Sequence, residues 1–177
     1  MNDMVEFSRL FPLSRLGDTA ASYVITASAE ECHHLASRFD LLSLNNLVVD
    51  LQLSHGEEPQ SYILKGELDA DIVQACIITL QDVSNHVHMS INTILLPSEH
   101  GVFQGDQEMD EDKDYEPLYG DKVELGEIAA QHLALALDHY PRHPSVPQEK
   151  TSFGDAAEQP PIGMVRPFQA LANLKLD

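Results

Sequence analysis

A 177-residue chain that is 43% apolar can bury one sizeable core, and with 6% aromatic residues and no Trp that core must be aliphatic. Against 29 Asp and Glu stand only 10 Lys and Arg, a formal net charge of -19. Such a surface disfavours direct binding to free RNA, because that affinity comes from Lys and Arg displacing counterions; a basic protein partner suits it better. The two cysteines, Cys32 and Cys76, form no C-x-x-C pair, so the expectation is a reducing compartment with no disulfide framework and no cysteine-based zinc site. The start, Met1-Asn2-Asp3-Met4-Val5-Glu6, has no basic segment leading into an apolar run. No apolar stretch approaches the roughly 20 residues that cross a bilayer. A cytoplasmic, single-domain protein with no membrane partner is expected over residues 1–177.

In chain order, residues 5–18 read as an extended start followed by a polar loop holding Pro12 and Gly17. Ser22–Thr26 reads as a short strand. Ser28 followed by Glu31 predicts a capping box, opening a helix over 28–39 whose apolar stripe is Cys32, Leu35, Ala36 and Phe39. Leu47, Val49, Leu51 and Leu53 alternate with polar residues, the pattern of a half-buried strand. After the polar turn 55–59 come three further strands, at Tyr62–Leu68, Ile72–Leu80 and Val87–Leu95. The second of these is apolar on both faces, which predicts a central position with Cys76 buried, its thiol raised in pKa and inert. Short connections make these strands antiparallel neighbours.

Residues 98–116 carry two Gly and a dense acidic run from Asp106 to Glu116, which predicts a flexible acidic loop. A helix follows from Leu125 to about Asp138, its core face formed by Leu125, Ile128, Ala129, His132, Leu133 and Ala136. Tyr140-Pro141-Arg142-His143-Pro144 ends it, since Pro cannot continue a helix. Residues 145–166 read as a linker, and 167–175 as a short C-terminal helix opened by Pro167.

Candidate chemistry is sparse. Asp110, Asp112 and Asp114 imitate the start of a calcium loop, but its sixth position is Tyr115 rather than Gly and its twelfth is Asp121 rather than Glu. His86-x-His88 puts two rings on one face of a strand, a spacing able to chelate zinc, yet a third ligand among His33, His34 and His55 is not fixed by the sequence. Nucleophile elbows and phosphate-binding Gly loops are absent from the sequence. No catalytic residue, metal or cofactor is therefore assigned.

Three stretches carry a resemblance. Cys76-Ile77-Ile78-Thr79-Leu80-Gln81-Asp82-Val83 resembles the central strand motif of the large ribosomal RNA subunit accumulation (YceD) family, in its α-proteobacterial style. Glu116-Pro117-Leu118, Val123-Glu124-Leu125-Gly126-Glu127 and the run Leu133 to Arg142 resemble the second family block, and Pro167 to Lys175 resembles the family's ending. The resemblance implies a role in accumulating large-subunit ribosomal RNA and brings no catalytic residues with it. Relatives often hold a second cysteine three residues after the first and a further pair near the C-terminus. Here Thr79 takes the first of these places and the C-terminal pair is missing.

The expectation is thus an α+β fold, an antiparallel sheet with room to curl into a partial barrel, packed by helices 28–39 and 125–138. The function expected is that of a non-enzymatic accessory factor in ribosome biogenesis that binds a basic ribosomal protein or a pre-ribosomal particle. Two places are candidates for that contact. One is the corner Tyr140, Pro141 and Arg142, because Tyr and Arg dominate energetic interface contacts. The other is the acidic arm with Asp110, Asp112 and Asp114, able to cover a basic surface. Two rival readings are a metal-dependent hydrolytic enzyme built on His86, His88 and nearby carboxylates, and an adaptor unrelated to ribosomes. An alternative for the corner is local: Tyr140 packing over the helix end while Arg142 complements its dipole.

Overall fold

A computed structural model describes residues 5–99, 102–103 and 114–146, which lie within one compact unit, Met1–Val146. Strand β1 (Leu10–Pro12) runs into a single 3-10 turn at Leu13–Arg15, and β2 (Ala21–Thr26) follows. Helix α1 (Ala29–Arg38) opens with both hydrogen bonds of the expected capping box. The Ser28 side chain accepts from the Glu31 N–H, and the Glu31 carboxylate accepts from the Ser28 N–H. Three long strands come next, β3 (Ser43–His55), β4 (Tyr62–Ala75) and β5 (Asp82–Glu99), then the short β6 (Val102–Phe103). The described chain closes with β7 (Asp114–Leu118), β8 (Lys122–Glu124) and α2 (Leu125–Ala136).

Strands β2, β3, β4 and β5 form an antiparallel meander, with β7 joining β5 in parallel and β6 pairing back on its end. The fold is α+β, and the sheet does not close into a barrel. Period-2 alternation sends Leu47, Val49, Leu51 and Leu53 of β3 and Leu64, Leu68, Ala70 and Ile72 of β4 to one face, where all are buried. That face receives α1 against β3 and α2 against β5. The opposite face carries Asp50, Glu67, Asp69, Asp71, His86 and His88. A separate two-stranded ribbon, β1 with β8, ties the N-terminal segment to the start of α2. There the Phe7 carbonyl lies so close to Gly126 that a Cβ on residue 126 would fall 2.0 Å from its oxygen. Only glycine fits.

Two expectations change. Ile72–Leu80 is not a strand of its own: β4 runs unbroken from Tyr62 to Ala75 and ends there, leaving residues 76–81 as a hairpin loop. Ile72 is buried, but Ile77, Ile78 and Leu80 are 48%, 56% and 77% exposed. The two-faced apolar run therefore joins a core residue to surface residues. The stretch 98–116 is strand at both ends, since Ser98 pairs with Phe103 and Asp114–Leu118 lies along Thr93–Pro97. The parallel pair is reached across the 14 residues from 100 to 113, the length such a connection requires. Asp110 and Asp112 lie outside the described residues, as do the expected C-terminal helix 167–175 and all but the first two residues of the expected linker.

Candidate functional site

Leaving β4, the chain turns on Cys76. The Cys76 N–H donates to the Gln81 carbonyl at 2.8 Å, and the Leu80 N–H donates back to the Cys76 carbonyl at 2.9 Å. Closing the loop puts Leu80 in the left-handed region, φ 58°, which costs an L-residue roughly 1–2 kcal/mol. A run rich in β-branched residues thus forms a loop, with a leucine where glycine would relieve the backbone. Such conflict between local preference and fold concentrates at functional sites.

The segment after α2 braces this loop. Gln74 Nε2 donates to the Asp138 carbonyl at 2.9 Å, the Ile77 N–H donates to the Pro141 carbonyl at 3.0 Å, and Ser145 Oγ donates to Gln81 Oε1 at 3.3 Å. Asp138 also accepts from the Tyr140 N–H at 2.9 Å, fixing the bend ahead of the proline. Two stretches that stand about 60 residues apart, both marked in the sequence, are therefore one structural corner. Pro141 is buried in it, Arg142 is exposed, and Tyr140 is 72% exposed. Arg142 makes no hydrogen bond or ion pair with the described residues. Ile77, Ile78, Leu80 and Tyr140 together give the corner an apolar surface.

Cys76 sits beneath that surface, fully buried but apart from the main core cluster. Burial was expected to raise its thiol. Instead the Thr79 side chain, with the N–H groups of His143, Thr79 and Ile78, outweighs desolvation and draws the pKa from 9.0 down to about 6. The Thr79 N–H lies 3.4 Å from the sulfur. Hydrogen-bonding groups of the corner, the Thr79 side chain first among them, surround the sulfur and set that direction.

Asp114 lies elsewhere, at the head of β7 opposite Thr93. Thr93 stands eleven residue steps along β5 from Asp82 at the corner, roughly 36 Å of extended strand. Of the acidic candidates, Asp114 is thus placed away from the corner. His86 and His88 are engaged on the outer sheet face: His86 Nδ1 is 2.8 Å from Asp71 Oδ1, and His88 Nδ1 is 2.9 Å from Asp69 Oδ1. Asp71, followed by Asp69, raises the His86 pKa. Among the described residues no three His, Cys, Asp or Glu side chains stand together as a ligand set for a metal ion. Inside, His132 of α2 is buried with Nε2 3.1 Å from Thr93 Oγ1, and burial lowers its pKa. The loop residues Ile77, Ile78 and Leu80 were not among the sequence-derived candidates.

The family model described as "Large ribosomal RNA subunit accumulation protein YceD" matches residues 64–175, well over half the chain. The chain belongs to the YceD family, whose description places it in the accumulation of large-subunit ribosomal RNA and which is not known as a family of enzymes. The match begins in β4 and takes in the corner, β7, β8 and α2. No curated protein and no solved structure matches the chain. No helix of the described residues is long and apolar enough to cross a membrane.

Proposed function

We propose that this protein supports large-subunit ribosomal RNA accumulation as a non-enzymatic accessory factor in the cytoplasm, binding a basic ribosomal protein or a pre-ribosomal particle through the corner at 76–81 and 138–142. The observation that carries this reading is the exposed set Ile77, Ile78, Leu80 and Tyr140, held on a rigid hydrogen-bonded frame within the family-matched region. Apolar and aromatic side chains fixed in advance lose little entropy on docking. Arg142 beside them adds a planar donor with no partner among the described residues. The charge of -19 directs the encounter toward a basic protein and away from free RNA.

The test is a tagged pull-down from the protein's own cells at low and high salt, with proteins and RNA identified. Wild-type protein is expected to recover large-subunit ribosomal proteins or their rRNA, released by salt. The pair Ile78→Ser and Tyr140→Ser is expected to lose them while unfolding at the wild-type temperature. Equal recovery by the folded double variant would remove the corner from the function.

A further inference from the structure

A second surface lies away from the corner, where β7 and β8 meet α2. A cavity of about 430 Å³ opens there, with Leu95, Leu118 and Ile128 among its apolar walls. This volume falls in the range of roughly 300–1,000 Å³ typical of ligand pockets, enough for a side chain or two rather than for a folded surface. Four carboxylates line it, Glu116, Asp121, Glu124 and Glu127, against the single cation Lys122.

These carboxylates are not equivalent. Glu124 accepts from the Ser8 hydroxyl and the Arg9 N–H, and Glu127 is paired with Arg38 at 2.7 Å. Both serve the fold. Glu116 has no hydrogen bond or ion pair with any described residue, although it is half-buried and sits in the regular ladder opposite Leu95. Burial, with the charge of Asp114, raises its pKa. A carboxylate held partly out of water with no partner costs stability, and it belongs to the Glu116-Pro117-Leu118 motif inside the family match. Asp121 is exposed at the rim.

We propose that this cavity receives an arginine side chain from an exposed segment of a basic protein partner. The methylene stem lies along Leu95, Leu118 and Ile128, and the guanidinium pairs with Glu116 and Asp121. Arginine suits both halves of the site, since its stem packs on apolar surface while its head forms charge-assisted bonds to carboxylates. The net charge of -19 against a cationic segment gives the complementarity that draws the segment in. This inference rests on the reading of the partner as a basic protein, and it fixes which surface reads the basic charge.

The experiment titrates the full chain with an amidated hexapeptide of alternating arginine and leucine, following heat of binding and backbone amide shifts. The expected result is saturable binding with shifts at Leu118 and Ile128, weakened about fivefold or more by Glu116→Gln, the loss of one charge-assisted contact. Glu67→Gln removes the same charge from the outer sheet face and is expected to leave binding unchanged, and a citrulline-for-arginine peptide is expected not to bind. Wild-type affinity in Glu116→Gln, or equal weakening by Glu67→Gln, overturns the assignment. The corner variant Ile78→Ser separates the two readings. In this variant peptide binding is expected to persist while ribosomal capture is lost; capture retained in the variant overturns the corner, whereas peptide binding lost in the variant overturns the assignment to the cavity.

Discussion

The seam between α1, α2 and the N-terminal ribbon differs sharply from the corner at 76–81. Along the seam the polar groups find partners. Arg9 grips Glu31 through two bonds of 2.7 and 2.9 Å and reaches the Thr26 carbonyl, while Arg38 bridges Glu6 and Glu127. At the corner hydrogen bonds brace the backbone, but Ile77, Ile78, Leu80 and Tyr140 are turned outward from it, 48–77% exposed. The first region uses side chains to hold the fold; the second uses the fold to hold side chains outward. The corner accepts a left-handed leucine and exposed isoleucines, which fits the contact role proposed for it.

The largest expected effect comes from breaking the seam. Gly126→Ala drives a Cβ into the Phe7 carbonyl, and the backbone cannot yield as a flexible side chain would. The expected loss is about 3 kcal/mol in urea unfolding, the upper end for overpacking. An unchanged midpoint would show that the ribbon is not anchored at this contact.

A smaller effect follows acid. The Arg9 side chain, and then the Ser28 contacts, hold Glu31 from 4.5 down to about 2. A depressed carboxylate stabilises the folded state above its unfolded pKa, so this contribution is complete above about 4.5 and is lost as pH falls from there toward 2. Because Arg9 and Glu31 are both partly exposed, with 34% and 21% of their side-chain surface open, the pair contributes about 1 kcal/mol at most. Glu31→Gln should flatten the stability profile through that window, and a slope identical to wild type would show that the pair contributes nothing.

The smallest effect has the opposite sign and sharpens the contrast. Leu80→Gly relieves the positive φ at a position whose side chain is 77% exposed. The left-handed cost of roughly 1–2 kcal/mol outweighs the roughly 0.5–1 kcal/mol of extra chain entropy that glycine brings. Thermal unfolding should therefore shift upward by about 0.5 kcal/mol of stability, while capture of the ribosomal partner weakens. A variant that loses stability would show that Leu80 supports the fold after all.

Much of the layered frame was legible before the structure. The Ser28 to Glu31 capping box located α1 because its two bonds are local, and alternation from Leu47 to Leu53 read directly as one buried face of β3. His132 falls on the core side of α2, as its helical spacing predicts. The corner was misread because composition cannot separate an apolar residue that packs from one that is displayed. Yet a signal was present: the inward alternation at Leu64, Leu68, Ala70 and Ile72 never breaks, so β4 had no turn at 69–71. Strand β7 was hidden for another reason. Asp114-Tyr115-Glu116-Pro117-Leu118 has the acidity of a loop, and it becomes a strand because the flank of β5 offers it a ladder. Of the sequence-derived contact residues, Tyr140, Pro141 and Arg142 lie at the corner. Residue spacing alone gave no hint of the Glu116 cavity, whose walls come from five separate elements.

The pairing of β1 with β8 also sets an order of assembly during synthesis. Arg9 and Glu124, which meet there, are 115 residues apart. At roughly 5–20 residues per second the nascent chain waits about 6–23 s between extruding one partner and the other. Strands β3 to β5 are consecutive hairpins and can close as they emerge, whereas Phe11, although it meets Tyr23 early, and Phe7 wait for Val123 and α2 to complete their cover. The N-terminal segment therefore seals only after the central sheet has formed, and the nascent chain spends that interval with two aromatic side chains short of their final packing.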